Sequence, residues 1–487
     1  MNSLVTALVT RLGQIIKNPS KPQFNHFLFE SLCLCVRLTC AADPSSIAHF
    51  EAALFMIFQE ILQQDITELF PYVFQLLAVM LDQYPLGSNV YDLCTQKRKM
   101  AGLEAEPQPA SLPIPNVAYQ ALLPRLLVPP LWETQGAVMS LARLMQAYLL
   151  HNVDAIVATN KVDAVLGVYQ RLLTSKTNDV YAFTIISAFL LALPRNCLDT
   201  LLPQIFICIF QRLQTAKTEK FMRFCVYALT GLTAFLAYFV LVFGANDLVN
   251  IMDKVQDRIF SKVLAKVILP HAELAISSPV GLINPTFVLT AHSNAGDART
   301  NSAAKGVDSG YASLSSSSFS HLAREEWRVV SVGLATLCTQ AEAICSPTDA
   351  IVSATSTSYH ADAWIPLVQA ILAGLTAGPA RCGQLAADAA VAAATAAAAN
   401  ASASVFSDER FTDVAGDSAS FTLVFATPKL PNLCPGVVDP RVHFAKSLEA
   451  LSRRYPTKIS AQLRTKLTDE AKSALEAYFT QSMVRLE

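Results

Sequence analysis

The sequence predicts an all-α fold, a HEAT-repeat α-solenoid built as a superhelix of antiparallel helix pairs. Three observations point to it. Apolar residues recur at steps of three and four over long stretches, while the strict alternation of a half-buried strand is rare. Of the 487 residues, 52% are apolar and only 15% charged, well under the ~25% charged of an average soluble domain. A short pattern around proline also returns along the chain. It reads Leu69-Phe70-Pro71-Tyr72-Val73-Phe74, then Leu122-Leu123-Pro124-Arg125-Leu126-Leu127, then Leu201-Leu202-Pro203-Gln204-Ile205-Phe206, then Trp364-Ile365-Pro366-Leu367-Val368. The last two intervals between these prolines approximate two and four units of ~40 residues, the length of a helical repeat. A helix pair that cannot bury its apolar face alone stacks on its neighbours.

The first stretch, 1–83, reads as repeats. From Phe24 to Cys40, residues Phe24, Phe27, Leu28, Leu32, Cys35, Val36 and Leu38 keep helical spacing, and Ile47 to Leu62 do the same. Asp43-Pro44 reads as an N-cap followed by proline at the first helical position. Residues 84–116 read as a loop insertion because Pro85, Gly87, Pro107, Pro109, Pro113 and Pro115 interrupt any helix. Lys97-Arg98-Lys99 in that loop is a solvated charge cluster or a nuclear-import tripeptide. Residues 117–274 resume the repeats. Residues 275–321 read as a flexible Ser-rich insertion, including Ser315 to Ser318. Repeats return over 322–384. Residues 385–410 form an Ala-rich low-complexity segment, in which alanine also favours a lone helix. Residues 411–487 read as C-terminal repeats.

The net charge of -1 argues against a nucleic-acid partner held by bulk positive charge. The eleven cysteines follow no disulfide spacing, and Cys33, Cys35, Cys40, Cys197, Cys208 and Cys225 fall in apolar runs. That usage suits a reducing compartment. Met1-Asn2-Ser3-Leu4-Val5 does not read as the start of a signal peptide, and the sequon Asn400-Ala401-Ser402 is expected to go unused. No phosphate loop, dinucleotide-binding glycine motif, zinc-protease motif or nucleophile elbow occurs. No C-x-x-C pair suggests zinc. The chain therefore reads as a non-enzyme, with no cofactor and no metal.

Phe224 to Asn246 carries no charge over 23 residues, long enough for a membrane span. Amphipathic neighbours on both sides favour a buried inner helix instead. Two polar clusters are candidate partner contacts. Gln211 to Phe221 joins two helices and offers Arg212, Lys217 and Lys220 at an edge of the array. The stretch Arg441 to Lys466 holds Arg441, Lys446, Arg453, Arg454, Lys458, Arg464 and Lys466 against Glu449, a set suited to an acidic surface.

Several segments resemble, in order, the exportin-2 (CAS) family of the importin-β superfamily. They are Lys17-Asn18-Pro19-Ser20-Lys21-Pro22-Gln23-Phe24-Asn25-His26; Phe50-Glu51 to Glu60-Ile61-Leu62-Gln63; Pro71 to Gln75; and Pro129-Pro130-Leu131-Trp132-Glu133. Ile205-Phe206, Phe210 to Gln214, Lys217-Thr218 with Lys220-Phe221, and Val442 to Leu448 follow. The resemblance covers nearly the whole chain outside the three insertions and corresponds to the C-terminal half of the family.

What the resemblance implies is a receptor that shuttles between nucleus and cytoplasm. With Ran-GTP it carries importin-α out through the pore, contacting nuclear pore proteins on the way, and GTP hydrolysis releases the cargo. The two partners raise each other's affinity through a shared state of the solenoid. The half that carries the main Ran-binding arch lies outside this chain, so the chain alone is expected to hold importin-α weakly and Ran hardly at all. The family's acidic stretch before the last repeats gives way here to the alanine tract, leaving Asp408-Glu409-Arg410-Phe411-Thr412-Asp413. The Ser-rich insertion has no counterpart. The alternatives are a generic HEAT scaffold and, through Phe224 to Asn246, a membrane-anchored helical protein.

Overall fold

The computed structural model describes residues 2–105, 115–134, 136–175, 178–215, 219–277, 309–345, 362–378 and 422–486. Helices account for most of these residues, and no strand occurs among them. The first group is α1 (Asn2–Ile15), α2 (Pro22–Ala42), α3 (Ile47–Gln63), α4 (Phe70–Leu81), α5 (Ser88–Met100), α6 (Val117–Leu126) and α7 (Val138–His151). Next come α8 (Val153–Ala158), α9 (Val162–Thr174), α10 (Asp179–Ala192), α11 (Arg195–Thr215), α12 (Glu219–Phe243) and α13 (Ala245–Val255). Then follow α14 (Ile259–Val263), α15 (Leu269–Ser277), α16 (Ser309–Gln340), α17 (Glu342–Cys345) and α18 (Asp362–Gly378). The last three are α19 (Pro440–Arg454), α20 (Lys458–Lys466) and α21 (Asp469–Ser482).

Local chemistry sets several of these ends. Asp43 accepts from the Ser45 amide at 3.0 Å and starts the turn into α3, as the Asp-Pro pair predicts. Asn116 accepts from Ala118 at 2.9 Å and begins α6. Asp439 accepts from Arg441 at 2.9 Å and begins α19, with Pro440 at its first position. A widened turn over Leu264–Ile268 stands just before Pro270, where a regular turn would set the proline ring against the carbonyl four residues back.

Helices α2, α4, α7, α10, α12, α16 and α19 follow one another as a row, each packed on the next. A second layer flanks it, with α3 on α4, α9 on α10, and α13 on both α11 and α12. This explains the composition. A row helix has neighbours on both flanks and a third helix behind, so its polar face shrinks. All twelve residues of α4 and all fourteen of α7 are buried. Helix α2 differs. Leu28, Leu32 and Val36 are buried against its neighbours, but Phe24, Phe27 and Leu38 are 49%, 47% and 58% exposed. The apolar series read as one core face therefore belongs to two faces, only one of them covered.

Other expectations are corrected. The loop read over 84–116 contains α5, because the prolines and Gly87 lie outside Ser88–Met100 and leave a continuous helical stretch. The Gly87 amide donates to Leu150 O at 2.8 Å and Asn89 Nδ2 to Ala192 O at 3.0 Å, docking α5 on the row. Lys97-Arg98-Lys99 is its last turn, where cations suit the negative end of the helix. The Ser-rich insertion ends before position 321, since α16 already begins at Ser309; serine costs a helix only about half a kcal/mol per residue. The alanine tract lies outside the described residues. The four proline echoes do not share one phase. Pro71 opens the row helix α4, while Pro124 and Pro203 lie inside α6 and α11, away from the row.

The uncharged run also finds its place. Among the described residues no single helix is long and apolar enough to cross a membrane; Leu229–Phe243 and Ala245–Val255 meet at 116°. Leu232, Phe235, Leu236 and Phe239 of α12 are buried, and α12 packs against α10, α13, α15 and α16. Its approach to α16 is tight enough that a Cβ on Gly333 would lie 2.2 Å from Ala237 O. Alanine favours a helix by about 1 kcal/mol over glycine, but here the backbones must separate. Gly333→Ala is expected to destabilise the chain by about 1–3 kcal/mol, seen as a lower midpoint in thermal melting.

Candidate functional site: a strapped row of helices

The row carries an unusual amount of buried polar chemistry. Asp82 follows α4, and Arg143 and His151 lie on α7. The Arg143 guanidinium pairs with Asp82, both side chains being 1% exposed, and His151 Nε2 stands 3.6 Å from Asp82 Oδ1. The other ring nitrogen of His151 faces Pro85 O at 3.1 Å. Glu30 and Gln75, from α2 and α4, are buried as well.

An irregular segment, Thr422–Val437, lies along these groups, and its backbone bonds to Glu30, Gln75, Asp82 and Arg143. The Leu423 amide donates to Gln75 Oε1 at 2.9 Å and the Phe425 amide to Glu30 Oε1 at 3.1 Å. Arg143 Nε donates to Ala426 O at 3.2 Å. Arg37 donates to Thr427 O and, at 3.2 Å, to Thr427 Oγ1. The Lys429 amide reaches Asp82 Oδ2 at 3.4 Å. Further along, Arg328 of α16 donates to Asn432 Oδ1 at 3.1 Å and Val437 O at 3.4 Å. We call this segment the strap. It joins helices that are not neighbours in the row. Its side chains are buried too, Leu423 fully and Leu433 and Cys434 to within 3%. Sequence reasoning missed it, because side-chain recognition of backbone leaves no periodic signal.

The candidate partner cluster looks different in three dimensions. Arg212, in the last turn of α11, pairs with Asp179 at 3.4 Å, with side chains 13% and 10% exposed. Asp179 opens α10, so each charge also complements a helix end. The pair ties the last turn of α11 to the first turn of α10. Lys217 lies outside the described residues, and Lys220 falls in the first turn of α12. In the C-terminal cluster several cations are used internally. Arg441 donates to Leu375 O at 3.2 Å, Arg453 pairs with Glu449 at 2.6 Å and Arg454 with Glu342 at 2.9 Å. Cys33 and Cys40 are buried, which pushes the Cys33 thiol up and the Cys40 thiol up to about 11; both remain protonated thiols packed as small apolar groups.

Two predictions follow from the buried groups. Arg143→Met leaves Asp82 buried without its counter-charge and Ala426 O without its donor. A loss of about 3–5 kcal/mol is expected, with faster proteolysis inside 422–437 than in the parent chain. Burial also holds His26, His151 and His443 below the ordinary histidine range. The unfolded chain takes up these protons near pH 6.5 while the folded chain takes them up only at lower pH. Stability therefore falls as pH drops below about 6.5, and this contribution levels off under the folded values. Denaturation midpoints at pH 7.5 and 5.5 check it, and His443→Asn should reduce the difference.

Comparison with known proteins places the chain. The family model for the C-terminus of CAS/CSE proteins matches residues 1–96 and 102–280, more than half of the sequence. Exportin-2 of Oreochromis niloticus is 31% identical over 491 residues, and exportin-2 of Homo sapiens 30%. Each alignment covers 99% of this chain but 39% of the relative, so the chain spans about two fifths of the length of these relatives. A solved structure titled as the exportin Cse1 in its cargo-free, cytoplasmic state superposes with a TM-score of 0.59 at 18% identity, over 98% of this chain and 37% of that one. It supports the all-α HEAT-repeat solenoid. The collinear motifs, the row of stacked helix pairs and these matches agree: the chain belongs to the CAS/CSE family and corresponds to its C-terminal part.

Proposed function

We propose that the chain is the cargo-side, C-terminal portion of a nuclear export receptor that carries importin-α from nucleus to cytoplasm with Ran-GTP. The observation that carries this reading is the similarity to exportin-2, about 30% identical over 99% of the chain. The reading involves no catalytic step. Binding energy comes from a large, nearly rigid helical surface, and direction comes from the state of Ran. Shuttling between nucleus and cytoplasm and contact with nuclear pore proteins belong to the same reading. So do Arg212, Lys217 and Lys220 as partner contacts at the edge of the array where α11 leads into α12.

The test uses the purified chain and immobilised importin-α. Saturable binding is expected, changing by less than about fivefold when Ran-GTP replaces Ran-GDP, the lower end of measurable coupling. Absence of binding up to about 1 mM, an affinity of only about 4 kcal/mol, would remove the cargo assignment.

A further inference from the structure

In a simple solenoid each repeat touches only its neighbours, and small changes at successive interfaces add up to a change of curvature. The strap breaks that rule. Its hydrogen bonds to α2, α4 and α7 span 283 to 395 residues of sequence. Its far end is held by Arg328 of α16 and runs through Val438 and Asp439 directly into α19. In between, Leu430, Pro431 and Leu433 share one small pocket with Leu150 of α7, Leu191 of α10, Tyr238 of α12 and Val329 of α16.

The lengths are informative. From α2 to α16 there are five helix-to-helix steps, about 40–50 Å along the row at the usual 8–10 Å spacing. The strap covers the same ground between Phe425, bonded to Glu30, and Val437, bonded to Arg328. Those twelve residues reach at most about 40–43 Å when fully extended. They are not fully extended, since a helical turn ends at Ala426 and Val437 N bonds back to Cys434 O at 3.2 Å. The strap is therefore no longer than the row it spans, and its reserve of length lies in those two turns.

We propose that the strap is a tie of fixed length that holds helices α2 to α16 as one rigid arc. Opening the arc would need the strap to lengthen or to give up buried hydrogen bonds. Each of these leaves a buried charge or amide unpaired. The inference is independent of the export reading, since it concerns shape and names no partner.

The experiment lengthens the tie without removing its contacts. Six Gly/Ser residues are inserted between Lys429 and Leu430, inside the two sets of anchors. The control places the same insert between Val438 and Asp439, beyond Arg328's contacts. Single-pair fluorescence transfer is measured between dyes at Met56→Cys and Met483→Cys, 71% and 95% exposed in the parent chain. The background replaces Cys35, Cys94, Cys197 and Cys208, which are partly exposed, together with Cys225 and Cys382, with serine. The first insert is expected to lengthen and broaden the distance by more than about 5 Å, half of one helix-to-helix step, and the control to leave it unchanged. Should circular dichroism show the first variant unfolded, Arg328→Gln, which cuts the downstream anchor, is expected to give the same lengthening. An unchanged distance in the folded lengthened or uncoupled variant overturns the proposal, as does an equal change in the control.

Discussion

The structure depends on one packing constraint: a helix in the row must cover two flanks at once. That constraint explains why a chain with so few charges folds around helices such as α4 and α7, in which no residue faces solvent. It explains why the uncharged run ending at Asn246 serves as an internal helix, its rings meeting those of α10 and α11: Phe235 lies 5.7 Å from Phe183 and Phe239 lies 5.6 Å from Phe206. It also accounts for glycine at position 333, where two helices close to backbone contact. At the start of the row, on α2, Phe24, Phe27 and Leu38 stand exposed.

Against this apolar background the Asp82–Arg143 pair is an exception with a purpose. A buried ion pair adds little stability over apolar side chains of similar size, but it adds specificity, because each remaining lone pair and proton demands a partner in a fixed place. The strap backbone supplies two of those partners, Ala426 O for Arg143 Nε and the Lys429 amide for Asp82 Oδ2. Apolar side chains alone would let such a segment slide along the row; Glu30, Arg37, Gln75, Asp82 and Arg143 define its register residue by residue.

The sequence made the helices legible through periodicity and the larger breaks through proline. It failed where one residue type serves two ends. The prolines around position 84–116 bracket a helix rather than dissolve it, and serines after 309 sit within a helix because nothing there forbids it. The family motifs are mostly packing residues. Tyr72 stacks on Phe29 at 5.1 Å, and the Trp132 indole donates to Leu126 O at 2.8 Å. They identify the fold's lineage without marking a surface. Arg212 carries a second relation that spacing alone does not show: its carboxylate partner stands 33 residues away in sequence. The strap was invisible because its recognition uses main-chain atoms, which every sequence possesses.

The distance in sequence between Arg143 and the carbonyl it holds has a consequence for biosynthesis. The arginine leaves the ribosome 283 residues ahead of Ala426. At about 5–20 residues per second, that is a wait of roughly 15 to 60 seconds. Through that interval the early helices can stack, but their charged seam must stay hydrated, and the arc can close only when the late segment arrives to displace the water.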